Sequence, residues 1–189
     1  MQTDTLRLPK SLYHTVLETP FGKLYVAYAE KYLYLLSGDE ETLLLDVYRL
    51  YGRAPVRNDA ISARMIADIL TSVLGDKAYR GPLMFSTITP FQRQVLQKLQ
   101  EIPRGEVRSY GWLANRLEHP RASRAVGNAL AWNPFPYIIP CHRVIRADGR
   151  LGKYSGGGEN MKARLLAYEG VSIGQGKDGT WRVQVGQGS

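Results

Sequence analysis

At 189 residues, 44% of them hydrophobic, the chain is long enough to bury a core without cross-links, and its single cysteine excludes an intramolecular disulfide. One cysteine and three scattered histidines (His14, His119, His142) exclude a tetrahedral zinc cluster, and no secretory leader or run of about eighteen apolar residues is visible, so neither a structural metal nor a membrane span is expected. The net charge of +8 is unevenly placed: residues 1–84 carry ten basic and ten acidic side chains, residues 85–170 thirteen and six, which points to a polyanionic partner such as nucleic acid unless the basic face is merely solvated.

In chain order, LYHTVLET (12–19) and KLYVAY (23–28) flank the turn PFG and read as a β-hairpin, with a further apolar piece at KYLYLLS. DAISARMIADILTSVL (59–74) sets Ile61, Met65 and Ile69 on one stripe and predicts an amphipathic helix. Gly and Pro then break the periodicity in GDKAYRGPLMFSTITP, and a domain boundary is expected near residue 85. Beyond it, PFQRQVLQKLQ (90–100) predicts a helix with Pro in its first turn and Phe91, Val95, Leu96 and Leu99 buried. Ser109 is a plausible N-cap for a short helix through Leu117, and a turn at EHP leads to a second helix over about 121–132. Two short helices and a tight turn in a basic region outline a helix-turn-helix. The Gly-rich end, 171–189, reads as a short hairpin or tail.

The second of those helices should bury Ala122, Val126, Ala129 and Leu130 and present Arg124, Gly127, Asn128 and Ala131 on the opposite side. Glycine inside a helix costs ~1 kcal/mol relative to alanine, so Gly127 asks for a reason, and close approach to another molecule is one. The lone cysteine, Cys141, follows in NPFPYIIPCHRVIR. A free cysteine is usually a small buried hydrophobe, but Pro140 stiffens one side while His142 and Arg143, which favour the thiolate, stand on the other. On an extended segment adjacent side chains point apart, so a water bridge from Cys141 to His142 is expected in place of a direct bond, with Glu169 in LLAYEG as an orienting carboxylate. Trp112 and Trp132 read as packing residues, His14 and His119 as surface or cap residues, and Glu169 by itself as an ordinary exposed helix end.

IPCHRVI with the preceding NPFP, together with GKYSGG, GEVRSYGWLA, SRAVGNA and LLAYEG, resembles the O6-alkylguanine-DNA alkyltransferases, also called methylated-DNA–protein-cysteine methyltransferases. The resemblance covers about Phe91 to Gly170, and over residues 1–84 only TPFGKLYVA matches. It implies an α+β, two-domain fold. Residues 1–84 would form a ribonuclease-H-like α/β domain with an antiparallel sheet, and residues 85–170 a mainly helical DNA-binding and active-site domain with the helix-turn-helix. It also implies the chemistry. Cys141 would take the alkyl group from O6-alkylguanine in duplex DNA, less surely from O4-alkylthymine, in a single turnover without a cofactor. His142 would accept the thiol proton through water, Glu169 would orient the imidazole, and Asn133 would brace the turn before Cys141. Tyr110 would press on the target phosphate, Arg124 would fill the vacated stack, and Ser123, Ala125, Gly127 and Asn128 would line the minor groove. Tyr154, Ser155, Gly156, Val144 and Pro136 would form the base pocket.

A DNA-bound monomer is expected, self-association on DNA being left open, in the cytoplasm or in a eukaryotic nucleus. Two other readings stand beside it. A noncatalytic alkyltransferase-like relative carries tryptophan at the acceptor position, where this chain has Cys141. A thiol hydrolase built on Cys141 and His142 would leave the basic helix pair unexplained.

Overall fold

The computed structural model describes residues 9–75 and 77–184. Three strands, β1 (Tyr13–Thr19), β2 (Gly22–Ala29) and β3 (Tyr32–Ser37), form an antiparallel meander, and the short β4 (Val56–Arg57) joins β1 in parallel, giving the order β3-β2-β1-β4. Val16 faces Tyr25 across the first hairpin, whose turn needs Gly22 at a φ of 111°. The sheet buries both faces, as its alternation demands. Leu24, Val26 and Tyr28 point to α2 (Ala63–Val73) and onward into the second half of the chain. Ala27 and Ala29 point to α1 (Glu40–Tyr51), where they meet Leu43, Val47 and Tyr51.

Sequence periodicity had left α1 unassigned. Its signals are terminal: Asp39 accepts from Thr42 N–H as N-cap, Glu40 and Glu41 complement the dipole, and Gly52 in the left-handed region closes the last turn. α2 starts at Ser62, later than expected, because Ser62 caps it and Ile61 is buried ahead of it.

In the second half, α3 (Pro90–Leu99) carries a full capping box from Thr89 and Gln92 and buries Val95, Leu96 and Leu99, with Phe91 only half-buried. α4 (Tyr110–Arg116) is capped by Ser109, and α5 (Ser123–Ala131) buries Val126, Ala129 and Leu130. Ala122 sits outside that stripe as the uncapped N-terminus of α5. The segment 133–140 is wholly buried and leads into a 3-10 turn, Cys141–Arg143. Two residues of β5 (Arg108–Ser109) then pair in parallel with β6 (Val144–Ile145), tying the start of α4 to the chain just past the cysteine. α6 (Gly158–Tyr168) packs against the turn, and the hairpin β7 (Ile173–Gln175) and β8 (Trp181–Val183) covers it. The rest of the expected tail, 185–189, and residues 1–8 of the first expected domain lie outside the described residues.

One buried cluster runs from Leu17, Leu24 and Val26 through Ile69 and Leu96 to Phe135, Ile139 and Cys141, so the sheet and the cysteine share a core. Among the described residues no helix is long and apolar enough to cross a membrane.

Candidate active site

Cys141 is 5% exposed and is delivered by the segment that follows α5. Asn133, itself buried, organises that segment. Its carbonyl oxygen accepts from Phe135 N–H at 3.0 Å, and its amide donates to Ile139 O and to Cys141 Sγ, both at 3.1 Å. One side chain thus closes the loop and sets the sulfur.

The expectation of an extended strand here is corrected. Cys141 and His142 lie in a 3-10 turn, both buried, because Arg143 N–H reaches back to Pro140 O. His142 Nε2 lies 2.9 Å from Glu169 Oε1, and the carboxylate is also gripped by Arg143, Nε to Oε2 at 2.9 Å and Nη2 to Oε1 at 2.8 Å. Arg143 Nη1 completes the clamp on Ile102 O at 2.7 Å. Glu169 is no exposed helix end: as C-cap of α6 its side chain is 7% exposed. Burial pushes its carboxyl up, but the bonds from His142 and Arg143 outweigh that and hold it down to about 2. Burial pulls His142 towards the neutral form against the opposing pull of Glu169. Because an ionised carboxylate only accepts, Nε2 carries the ring proton. Nδ1 keeps a free lone pair, and it is buried with no protein partner.

At the sulfur, burial outweighs the groups that favour the thiolate. Burial pushes the Cys141 thiol up, while the Asn133 amide, the Lys162 ammonium and Ser155 pull it down. Lys162 is 1% exposed, donates to Val144 O at 2.6 Å and Leu151 O at 2.7 Å, and is lowered by burial to about 8. Neither Lys162 nor the Arg143 clamp was identified from the sequence. Lysine is almost never buried unless paired, so a lysine between Met161 and Ala163 gave no signal, and Arg143 was noticed only as a cation beside the cysteine.

A cavity of about 480 Å³ opens onto the sulfur, lined by Tyr110, Gly127, Asn128, Leu130, Ala131, Cys141, Lys153, Tyr154 and Ser155. Of the expected pocket residues, Tyr154 and Ser155 line it. Gly156 backs it, where a Cβ would lie 2.6 Å from the Tyr154 ring. Val144 is fully buried with its carbonyl on Lys162, and Pro136 lines a neighbouring cleft that shares Ala131 and Ser155. Tyr110 is half-buried at the first position of α4. A Cβ on Gly127 would meet only the Tyr110 ring at 3.8 Å, so internal packing does not demand glycine there. On α5, Arg124, Ala125 and Asn128 are exposed and Ser123 is half-buried. Arg124 has no ion-pair partner among the described residues, where Arg146 and Arg150 share Asp148.

Two assignments are reversed. Trp132 is 63% exposed at the end of α5, since the stripe that buries Val126 and Leu130 leaves it outside. His14 is buried, with Nε2 3.2 Å from Glu40 at the start of α1, a helix not foreseen from the sequence. His119 is exposed.

Residues 90–171 match the family model described as "6-O-methylguanine DNA methyltransferase, DNA binding domain". A methylated-DNA–protein-cysteine methyltransferase of Mus musculus is 51% identical over 98 residues, 48% of this chain, and that stretch spans less than half, 46%, of the mouse protein. One from Salmonella typhimurium is 39% identical over 164 residues, 82% of this chain and 94% of that one. The crystal structure of Mycobacterium tuberculosis OGT in complex with DNA superposes with a TM-score of 0.70 at 33% identity, covering 83% of this chain and 92% of the other. A likeness that spans sheet, helices and cysteine segment alike makes the chain a member of the methylated-DNA–protein-cysteine methyltransferase family.

Proposed function

We propose that the protein repairs O6-alkylguanine in duplex DNA by moving the alkyl group onto Cys141, once per molecule. The observation that carries this reading is the arrangement behind the sulfur. A buried Glu169–His142 pair leaves Nδ1 without a partner among the described residues, on the residue that follows Cys141, and the Cys141 thiol opens onto a base-sized cavity. The thiol proton passes through a bridging water to Nδ1, and Glu169, held in place by Arg143, offsets the charge that develops on the ring. The S–C bond forms as the C–O6 bond breaks, leaving a thioether on Cys141 and a guanine that takes up a proton, with Tyr110 as donor towards N3. Ser155 and the amides of 155–157 hydrogen-bond O6 and Tyr154 walls the base, while Pro136 in the neighbouring cleft and Val144, whose carbonyl is held by Lys162, stand behind the pocket. No step calls for a metal or organic cofactor.

The target atom lies inside the duplex, so the nucleotide must leave the stack at a cost of a few kcal/mol. We assign α4 and α5 to a helix-turn-helix that enters the minor groove, where Ser123, Ala125, Gly127 and Asn128 allow close approach without base discrimination. Unpaired and exposed, Arg124 is suited to the vacated place in the stack, and Tyr110 to the phosphate that must rotate. The sheet with α1 and α2 forms the ribonuclease-H-like domain of residues 1–84, and 85–170 the active-site domain.

Incubation with a duplex carrying O6-methylguanine should add one methyl group to Cys141, read by mass spectrometry, and none in Cys141→Ala. The Ala variant should still bind the lesion while Arg124→Ala binds it more weakly. Binding without any adduct would refute transfer and leave the noncatalytic reading standing.

A further inference from the structure

The Ser155 loop, which the proposed reaction places against O6, is held by a residue outside the motifs of the sequence. Tyr137 lies midway along the buried segment 133–140 with a φ of 75°, a conformation uncommon for a side chain of its size. That turn makes two bonds to one loop. Tyr137 N–H donates to Tyr154 Oη at 3.2 Å, and Tyr137 Oη donates to Gly156 O at 2.5 Å. The two rings meet edge to face at 6.1 Å, and Tyr154 stands in the same relation to His142. Burial lifts the Tyr137 phenol to about 12, so it remains a donor at any working pH.

The first half of the chain completes the contact. Gly38, between β3 and the N-cap of α1, lies so close that a Cβ there would stand 2.9 Å from Tyr137 Oη and 3.7 Å from Gly156 O. Next to it, Leu36 N–H bonds Pro134 O at 2.9 Å. Gly157, at a φ of 121°, would bring a Cβ within 3.7 Å of the same phenol oxygen. The loop between Tyr154 and Gly157 is therefore fastened at both ends to one tyrosine, and that tyrosine is backed by the sheet.

We infer that Tyr137 is a positioning residue: it clamps the pocket loop, sets how wide the space beside Cys141 stands, and so lets the sheet-bearing half of the chain determine which O6 substituents are admitted. The inference rests on the proposed alkyl transfer for its chemistry, but the clamp is a property of the loop and can be read without it. With the clamp closed the loop amides are pre-set for a small substituent. Loosened, they trade reactivity towards methyl for room.

Tyr137→Phe removes only the phenol oxygen. Its transfer rate from O6-methylguanine duplex should fall roughly fivefold, the fold-change of one net hydrogen bond, while the affinity for undamaged duplex stays unchanged. The ratio of O6-benzyl to O6-methyl rates should rise by a similar factor, and amide exchange at 155–157 should quicken. Gly38→Ala, remote from the reacting atoms, should do the same by pushing the phenol off Gly156, yet should do nothing further in the Tyr137→Phe background, where its clash partner is gone. A purely structural role would lower the unfolding temperature and leave the rate ratio as in wild type, and an unchanged ratio overturns the inference. Should wild type transfer no alkyl group at all, the proposed reaction fails, and amide exchange alone decides the clamp: unchanged protection of 155–157 in both single variants refutes it.

Discussion

Asn133 is the residue whose replacement should separate folding from reactivity most cleanly. In Asn133→Ala three bonds vanish. Ile139 O keeps its bond from Cys141 N–H at 2.7 Å, so only Phe135 N–H is left wholly unpaired in a site without solvent. An orphaned buried donor costs about 1–3 kcal/mol and each of the other two bonds about 0.5–1.5 net, so the variant should lose about 2–6 kcal/mol. For a chain of this size that is a fall of about 4–24 °C in unfolding temperature. Transfer should slow as well, by about 10- to 100-fold, because the bond lost at the sulfur is one that strengthens as the thiolate forms.

Asn133→Asp tests the second half of that statement. It keeps an acceptor for Phe135 N–H, so it should unfold at a higher temperature than the Ala variant. It also sets a carboxylate where the amide stood, 3.1 Å from Sγ, pushing the thiol further up, so it should react more slowly than the Ala variant. The assay is the time course of the Cys141 methyl adduct near neutral pH beside a thermal scan of each protein. An Asp variant that reacts as fast as the Ala variant would show that the Asn133 amide holds the loop and does not stabilise the thiolate.

Glu169 is held down to about 2 in the folded protein against an ordinary value of 4.5, so its contribution is fully present above about pH 4.5 and is lost as pH falls towards 2. The stability difference between wild type and Glu169→Gln, read by denaturant unfolding, should shrink across that window. A constant difference would contradict the assignment. Lys162 gives a slope of the same sign in a higher window: its folded value of about 8 lies below the ordinary 10.5, the unfolded chain binds more protons between them, and stability should rise from pH 8 towards pH 10. Lys162→Met should abolish that rise. Arg143→Lys keeps the charge but at best one of three bonds, and at about 1.5–3 kcal/mol per charge-assisted bond it should lose about 3–6 kcal/mol and slow transfer. A near-neutral Arg143→Lys would mean that the fork geometry is irrelevant.

How far the chain could be read without coordinates depended on whether a residue's environment is local. The first hairpin and α3 were legible because turn residues, caps and stripes act within a few positions. α1 was not, since LLLDVYRLY mixes an apolar run with one helical stripe, although the Asp39 cap and the Gly52 stop were there to be found. Three prolines made 133–140 look extended. What decides its path is Asn133 bonding eight residues ahead and Tyr137 reaching seventeen and nineteen ahead, pairings that no periodicity encodes. Lys162 and His14 were misjudged for the same reason: each is buried on partners far away in sequence. The motif residues Cys141, His142 and Glu169 could be named because a resemblance carried them, whereas Arg143 and Tyr137 owe their importance to contacts.

Burial that pushes a thiol up works against its use as a nucleophile, and the geometry resolves the conflict. Were Cys141 a resting thiolate, it would react with any small electrophile or oxidant that entered, and under the proposed single-turnover transfer such a loss could not be recovered. Here the neutral thiol is the resting form, set by burial. The groups that would favour its anion, the Asn133 amide, Lys162 and Ser155, are already in place and need no rearrangement. Deprotonation can then coincide with arrival of the lesion, when the alkyl carbon supplies the second half of the reaction and the base in the cavity excludes water. With one cysteine in the sequence, Cys141 has no intramolecular disulfide partner.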